Sequence, residues 1–168
     1  ELKSLKQMSS TATRIQPDEY RARIKKAQTI MLDESIELCF LNAGSNLAYF
    51  TGVEWTPSER LMGCILPNEG PLCYLAPKFE YGTLLDSLAI PGQIHCWEEH
   101  ENPCQLFSKV AAAINPNLSN IGIDESTPFF ISEGLRNSCK GKTLVDAKSV
   151  TAGCRMQKSK SELQILQH

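Results

Sequence analysis

The chain comprises 168 residues, with 17 basic and 19 acidic side chains and a formal charge of −2. That balance excludes a nucleic-acid binder working through a basic stripe, and 42% hydrophobic with 21% charged residues excludes a disordered chain. The length is that of one ordinary domain, able to bury roughly two-thirds of its unfolded surface without a disulfide or structural metal.

Residues 1–16 form a polar extension without the apolar stretch of a secretory leader. Pro17 and Asp18 then open a helix in which Tyr20, Ile24, Ala27 and Met31 share one face. Ile36–Leu41 is an apolar run suited to a buried strand, and Leu47–Phe50 reads as a second short strand ended by Thr51 and Gly52. Leu61–Leu66 and Pro71–Leu75 flank the turn Pro67-Asn68-Glu69-Gly70 and predict a hairpin. Lys78–Leu88 predicts a helix that offers Phe79, Leu84, Leu85 and Leu88 for burial, followed by a strand at Ile94–Trp97.

Asn102 suits an N-cap and Pro103 the first position of a helix whose apolar face is Leu106, Phe107, Val110, Ala111 and Ile114. Ile121–Asp124 predicts a strand, Thr127-Pro128 a helix start running to about Cys139, and Thr143–Asp146 a last strand. Ser159 and Glu162 have capping-box spacing, with Leu163, Ile165 and Leu166 behind them. Such alternation predicts an α/β domain with a mixed sheet flanked by helices. The capped helix stops within two turns at His168, so the sequence reads as one domain plus the start of another.

Seven cysteines are an odd count, and Cys39, Cys64, Cys73 and Cys154 lie in or beside apolar runs as small core hydrophobes. No CxxC pair is present. No apolar run approaches the ~20 residues of a membrane helix. These features suggest a reducing, cytoplasmic setting. The start at Glu1 rather than Met suggests a processed or excised piece.

Chemistry-bearing residues are densest at His95, Cys96, Glu98, Glu99, His100 and Cys104, which include the donor types that bind zinc. Adjacent His95 and Cys96 would point to opposite faces of a strand, however, and the spaced pairs of a zinc motif are absent. The same window reads more simply as a strand end and a helix start with acids near the positive end of the dipole. No GxSxG elbow or Gly-rich phosphate loop occurs, and Glu98-Glu99 and Asp124-Glu125 read as solvated surface. No catalytic residue and no metal ligand is assigned. The loop Thr51–Arg60 instead carries Trp55 and Arg60, types enriched at contacts; they would otherwise cover the core edge and pair with Glu54 or Glu59.

NLAYFTG (Asn46–Gly52), Arg60, the Pro77-x-x-Glu80 step, WEEHENP (Trp97–Pro103), IGID (Ile121–Asp124), LVDA (Leu144–Ala147) and CRMQKSKSELQILQ (Cys154–Gln167) occur in this order. From Tyr20 onward the chain thereby resembles the N-terminal domain of the Xaa-Pro dipeptidase, aminopeptidase P and creatinase family, and Xaa-Pro dipeptidase-like enzymes most of all. The resemblance implies a domain with a ribonuclease-H-like motif over 17–153, then the junction and first helix of a "pita-bread" catalytic domain at 154–168. In that family the second domain holds two divalent metals, manganese, cobalt or zinc, through Asp, Asp, His, Glu and Glu. They activate a water that attacks the peptide bond before proline.

None of those five ligands has a counterpart here, so the resemblance implies a chain inactive by itself and without a cofactor of its own. It implies as partners the protein's own catalytic domain, a second copy in a homodimer, and a proline-containing di- or oligopeptide, with neither nucleic acid nor membrane. The implied role is dimerisation and substrate gating, with Trp55 as a wall and Arg60 as a carboxylate clamp or structural ion pair. His100, at the end of the WEEH turn, is a third candidate beside a plain helix-start role. Two other readings share the scaffold: a non-catalytic peptide- or protein-binding homologue, and a creatinase-like amidinohydrolase.

Overall fold

The computed structural model describes residues 14–166; residues 1–13 of the polar extension and the final two residues of the junction segment lie outside the described residues. Pro17 starts α1 (Pro17–Asp33), with Asp18 and Glu19 in the first turn where the helix dipole favours acids. Its predicted face is the buried one: Ala27 and Met31 are fully covered and Tyr20 and Ile24 pack beside them. There follow β1 (Leu38–Asn42), α2 (Ser45–Thr51), β2 (Gly63–Pro67), β3 (Leu72–Pro77) and α3 (Tyr81–Ser87). The remaining elements are β4 (Gly92–Trp97), α4 (Pro103–Ile114), β5 (Asn120–Ile123), α5 (Phe129–Ser138), β6 (Thr143–Asp146), α6 (Lys148–Arg155) and α7 (Lys160–Leu166).

The strands form one mixed sheet in the order β4-β3-β2-β1-β5-β6. β2 runs antiparallel to both neighbours, with Phe40 opposite Ile65 and Cys64 opposite Tyr74; every other pairing is parallel. Alternation along β1 divides the core. Cys39 and Leu41 face α1, α2, α3 and α6 through Met31, Leu47, Phe50, Leu84 and Val150. Leu38 and Phe40 face α4 and α5 through Phe107, Val110, Ala111, Ile131 and Leu135. Phe40 and Phe107 meet edge-on, 5.6 Å between centroids at 86°, a geometry worth about 0.5–1.5 kcal/mol beyond the area it buries.

Cys39, Cys64, Cys73 and Cys154 are buried in these two cores as predicted, and all seven cysteines are free thiols. Asn102 caps α4 as predicted, its side chain accepting from the N–H groups of Cys104 and Gln105. The capping box of α7 is present: Ser159 N–H donates to Glu162 Oε2 at 2.8 Å and Glu162 N–H to Ser159 Oγ at 3.1 Å. No described helix is long and apolar enough to cross a membrane.

Three elements differ from the sequence reading. Leu47–Phe50 is helical: Gly44 at φ 130° turns the chain, and Leu47 and Phe50 are buried one turn apart. A four-residue apolar run cannot separate that spacing from strand alternation. Lys78–Leu88 splits into a 3-10 turn at Lys78–Glu80 and the shorter α3. Leu84 is buried there, whereas Phe79 and Leu85 are 59% and 49% exposed. The third, α6, was not foreseen; its buried side chains are Val150, Thr151 and Cys154, too few to set a periodic face in sequence.

Candidate functional site

All strands but β2 run in one direction, so Asn42, Pro77, Trp97, Ile123 and Asp146 end at one edge of the sheet. In open α/β sheets that carboxyl edge is where loops gather ligands. The 53–62 loop enters β2 at this edge. It begins at Gly52, whose left-handed φ of 77° ends α2.

Arg60 is the best-defined group of the loop. Its Nη1 donates to Glu59 Oε1 at 2.6 Å, and its Nη2 and Nε donate to Glu99 Oε1 at 2.8 and 3.3 Å. The guanidinium carbon lies 5.5 Å from the centre of the Phe79 ring, which gives that exposed aromatic a cation to cover. The hydrogen bond to Glu99 raises the Arg60 pKa further, so the group is held as a cation. Of the two partners foreseen from sequence Glu59 is engaged, and Glu99, which the sequence did not suggest, joins it.

The sheet brings Arg60 to Glu99, which immediately precedes His100 in the exposed turn between β4 and α4. Trp55 turns elsewhere: it is half-buried and packs against the core on the α1 side.

The His95/Cys96/His100/Cys104 window does not converge. Among the described residues no group of three or more His, Cys, Asp or Glu side chains could hold a metal ion. His95 lines a cavity of about 290 Å³ with Cys73 and Val110 on the α4 side. Cys104 is buried near Gly134 of α5.

Asp124 corrects the reading of Asp124-Glu125 as solvated surface. It is 1% exposed, and its Oδ1 accepts from Asn46 Nδ2 at 2.7 Å, Ser126 N–H at 2.7 Å and Ser126 Oγ at 2.8 Å. Burial raises its pKa above the ordinary aspartate value despite those bonds, and Oδ2 has no partner among the described residues. Asn46 in turn accepts from Arg155 Nη1 at 2.7 Å, which ties the sheet to the end of α6. Strand periodicity points Asp124 inward, but an acid beside an acid masks that signal in sequence.

A second polar seam was also missed. Arg23, with its side chain 9% exposed, donates to the Tyr49 carbonyl at 2.7 Å and to Glu19 Oε1 at 2.8 Å. Its guanidinium carbon lies 4.1 Å from the centre of the Tyr49 ring, and Glu162 Oε1 is 3.6 Å from its Nη2. The Tyr49 hydroxyl donates to the Cys154 carbonyl at 3.0 Å, and burial pushes that phenol up to about 12. The available signal was an arginine on the apolar face of α1, one turn after Tyr20 and one turn before Ala27.

Comparison with known proteins matches residues 23–157 to the creatinase/prolidase N-terminal domain model. The provisionally named dipeptidase YkvY of Bacillus subtilis is 24% identical over 145 residues, 86% of this chain and 40% of its own. A prolidase from Thermococcus sibiricus superposes with a TM-score of 0.76 at 27% identity, over 86% of this chain and 39% of that one. The N-terminal domain of Xaa-Pro dipeptidase from Lactobacillus brevis shares the fold, with a TM-score of 0.71 at 15% identity, over 80% of this chain and 99% of that one. The chain thus spans about two-fifths of the first two proteins and nearly all of the isolated domain. On the family match and the six-stranded mixed sheet together, it belongs to the creatinase/prolidase N-terminal domain family.

Proposed function

We propose that this domain gates substrate entry, and joins a homodimer interface, in a longer metal-dependent Xaa-Pro peptidase. The observation that carries the reading is the 53–62 loop at the carboxyl edge of the sheet, with Arg60 held at its end by exposed carboxylates. A guanidinium in such a pair can exchange one carboxylate for another, and the C-terminal carboxylate of a dipeptide has the matching bidentate geometry. Trp55 serves in this reading as an apolar wall for the substrate ring, seated on the core by its half-buried ring, and His100 as a polar candidate beside Glu99.

The described residues do not fit the two divalent metals of the family. Manganese, cobalt or zinc is assigned to the remainder of the parent protein, and bond cleavage with it. Seven free thiols fit a reducing, cytoplasmic compartment. A creatinase-like activity uses the same scaffold and would be separated by substrate profile.

The test is steady-state kinetics of the full-length parent with Arg60→Ala. KM for an Xaa-Pro dipeptide should rise about tenfold while kcat changes little, the signature of lost ground-state binding. The same substrate with an amidated C-terminus should show no such rise. Equal effects on both substrates, or none on either, refute the clamp.

A further inference from the structure

Three separate ties meet on α2. At its start, Asn46 accepts from Arg155; in its middle, Tyr49 offers its carbonyl to Arg23 and its hydroxyl to the Cys154 carbonyl. Its end is Gly52, from which the 53–62 loop departs. A helix of seven residues has little stability of its own, so its order depends on what it is fastened to.

α7 is fastened to the same seam by the atoms that cap it. Glu162 caps the Ser159 N–H through Oε2, while its Oε1 faces Arg23 at 3.6 Å. Ser159 Oγ accepts from the Glu162 N–H and donates to Glu19 Oε1 at 2.6 Å. The side chains that cap the first turn of α7 are therefore also those that dock it on α1. Arg23 stands between the two elements, with one guanidinium serving Glu19, Glu162 and the Tyr49 carbonyl.

We infer that seating of α7 on α1 regulates the order of the 53–62 loop, with Arg23 and α2 as the connecting parts. This deepens the gating reading and rests on it. When α7 is seated, Glu162 and Glu19 hold the guanidinium under Tyr49, and α2 keeps its end against Tyr20. When α7 lifts, Arg23 loses a carboxylate and α2 loses a fixed partner, and the loop springing from Gly52 opens more often. The movement of whatever follows α7 would thereby reach a loop at the opposite end of α2 without touching it.

Hydrogen–deuterium exchange of the full chain, resolved by peptide, tests this. Glu162→Gln still caps Ser159, because Gln serves equally in a capping box, but brings no charge to Arg23. Amides of 45–62 should exchange about tenfold faster, together with those of 160–166, while β5 and β6 stay at the wild-type rate. Arg155→Gln releases the independent tie to Asn46 and should accelerate 45–62 with the α7 cap intact.

Met156→Ala, a 78% exposed side chain between the two ties, should change nothing. Should the charge variants fail to fold, Ser159→Ala against Ser159→Thr makes the same comparison: only the alanine should speed the loop, since threonine keeps the hydroxyl. Acceleration confined to 160–166, or a loop indifferent to every variant, overturns the inference. Because the readout is exchange and not turnover, it stands or falls separately from the effect of Arg60→Ala on KM.

Discussion

Replacing Gly52 with alanine adds one methyl group where two costs can be measured apart. Gly52 has φ 77° and closes α2 by donating its N–H to the Ala48 carbonyl at 2.9 Å. A Cβ there would stand 2.7 Å from Ala89 Cβ and 3.1 Å from Tyr20 Cζ. The left-handed backbone costs an L-residue about 1–2 kcal/mol, and forcing a methyl against packed neighbours costs about 1–3 kcal/mol more. Gly52→Ala should therefore destabilise the chain by about 2–5 kcal/mol. Gly141 has nearly the same φ, 78°, with no described residue within 4 Å of where its Cβ would stand, so Gly141→Ala should cost only the backbone share, about 1–2 kcal/mol. Gly82 lies in α3 with open space and an ordinary φ, and Gly82→Ala should gain up to about 1 kcal/mol. Urea denaturation reads all three, with a slope of about 1–3 kcal/mol per molar. Midpoints should fall in the order Gly82→Ala, wild type, Gly141→Ala, Gly52→Ala. A Gly52→Ala midpoint equal to that of Gly141→Ala refutes the close approach of α2 to Tyr20 and Ala89.

Asn102→Ala removes the acceptor for the Cys104 N–H at 2.9 Å and the Gln105 N–H at 3.4 Å; it should cost about 1 kcal/mol in the same denaturation assay. Acid should destabilise the chain through Glu19 and Glu125. Burial disfavours the charge of each, but hydrogen bonds from Ser159, Ser161 and Arg23 to Glu19, and from Thr151 to Glu125, outweigh it and leave both below the free value of 4.5. A lowered folded pKa means stability that is complete above 4.5 and lost as pH falls through the folded value. Asp124 works oppositely, its raised pKa costing stability as pH rises through it. Ser159→Ala should flatten the loss of Tm between about pH 5 and pH 3, and an unchanged slope would remove Glu19 from the account. Finally, Cys96 is half-buried while the other six thiols are buried, so a thiol reagent should label it first under native conditions and all seven after denaturation, read by intact mass.

The legible parts of the sequence were those with long or punctuated signals. α1 shows four apolar residues at helical spacing, the β2–β3 hairpin is marked by Pro67 to Gly70, and α4 opens with Asn102-Pro103. α2 failed because four apolar letters fit either period, and only the turn at Gly44 decides between them. Arg60 was legible as a loop cation, yet its partner Glu99 lies 39 residues away across the sheet edge and no local spacing announces it. Asp124 and Arg23 were the deeper failures. Polar residues on buried faces read as exceptions to a pattern, and their meaning appears only once Asn46, Arg155, Tyr49 and Glu162 are brought to them by the fold.

The two arginines that the fold singles out divide by burial, and that division accords with the roles proposed for them. Arg60 and its partners Glu59 and Glu99 are 43%, 74% and 64% exposed. Water screens such pairs and they hold little energy, so an incoming carboxylate can take the place of Glu99 at small cost. Arg23 and Glu19 are 9% and 17% exposed, and the cation stacks on Tyr49. Removing one partner from a buried pair costs about 3–5 kcal/mol, because the other charge is stranded. Such a pair cannot serve a ligand that must come and go. In the proposed gate, a replaceable pair suits the loop and a fixed pair suits the hinge beneath α7, and each would serve the other's task poorly.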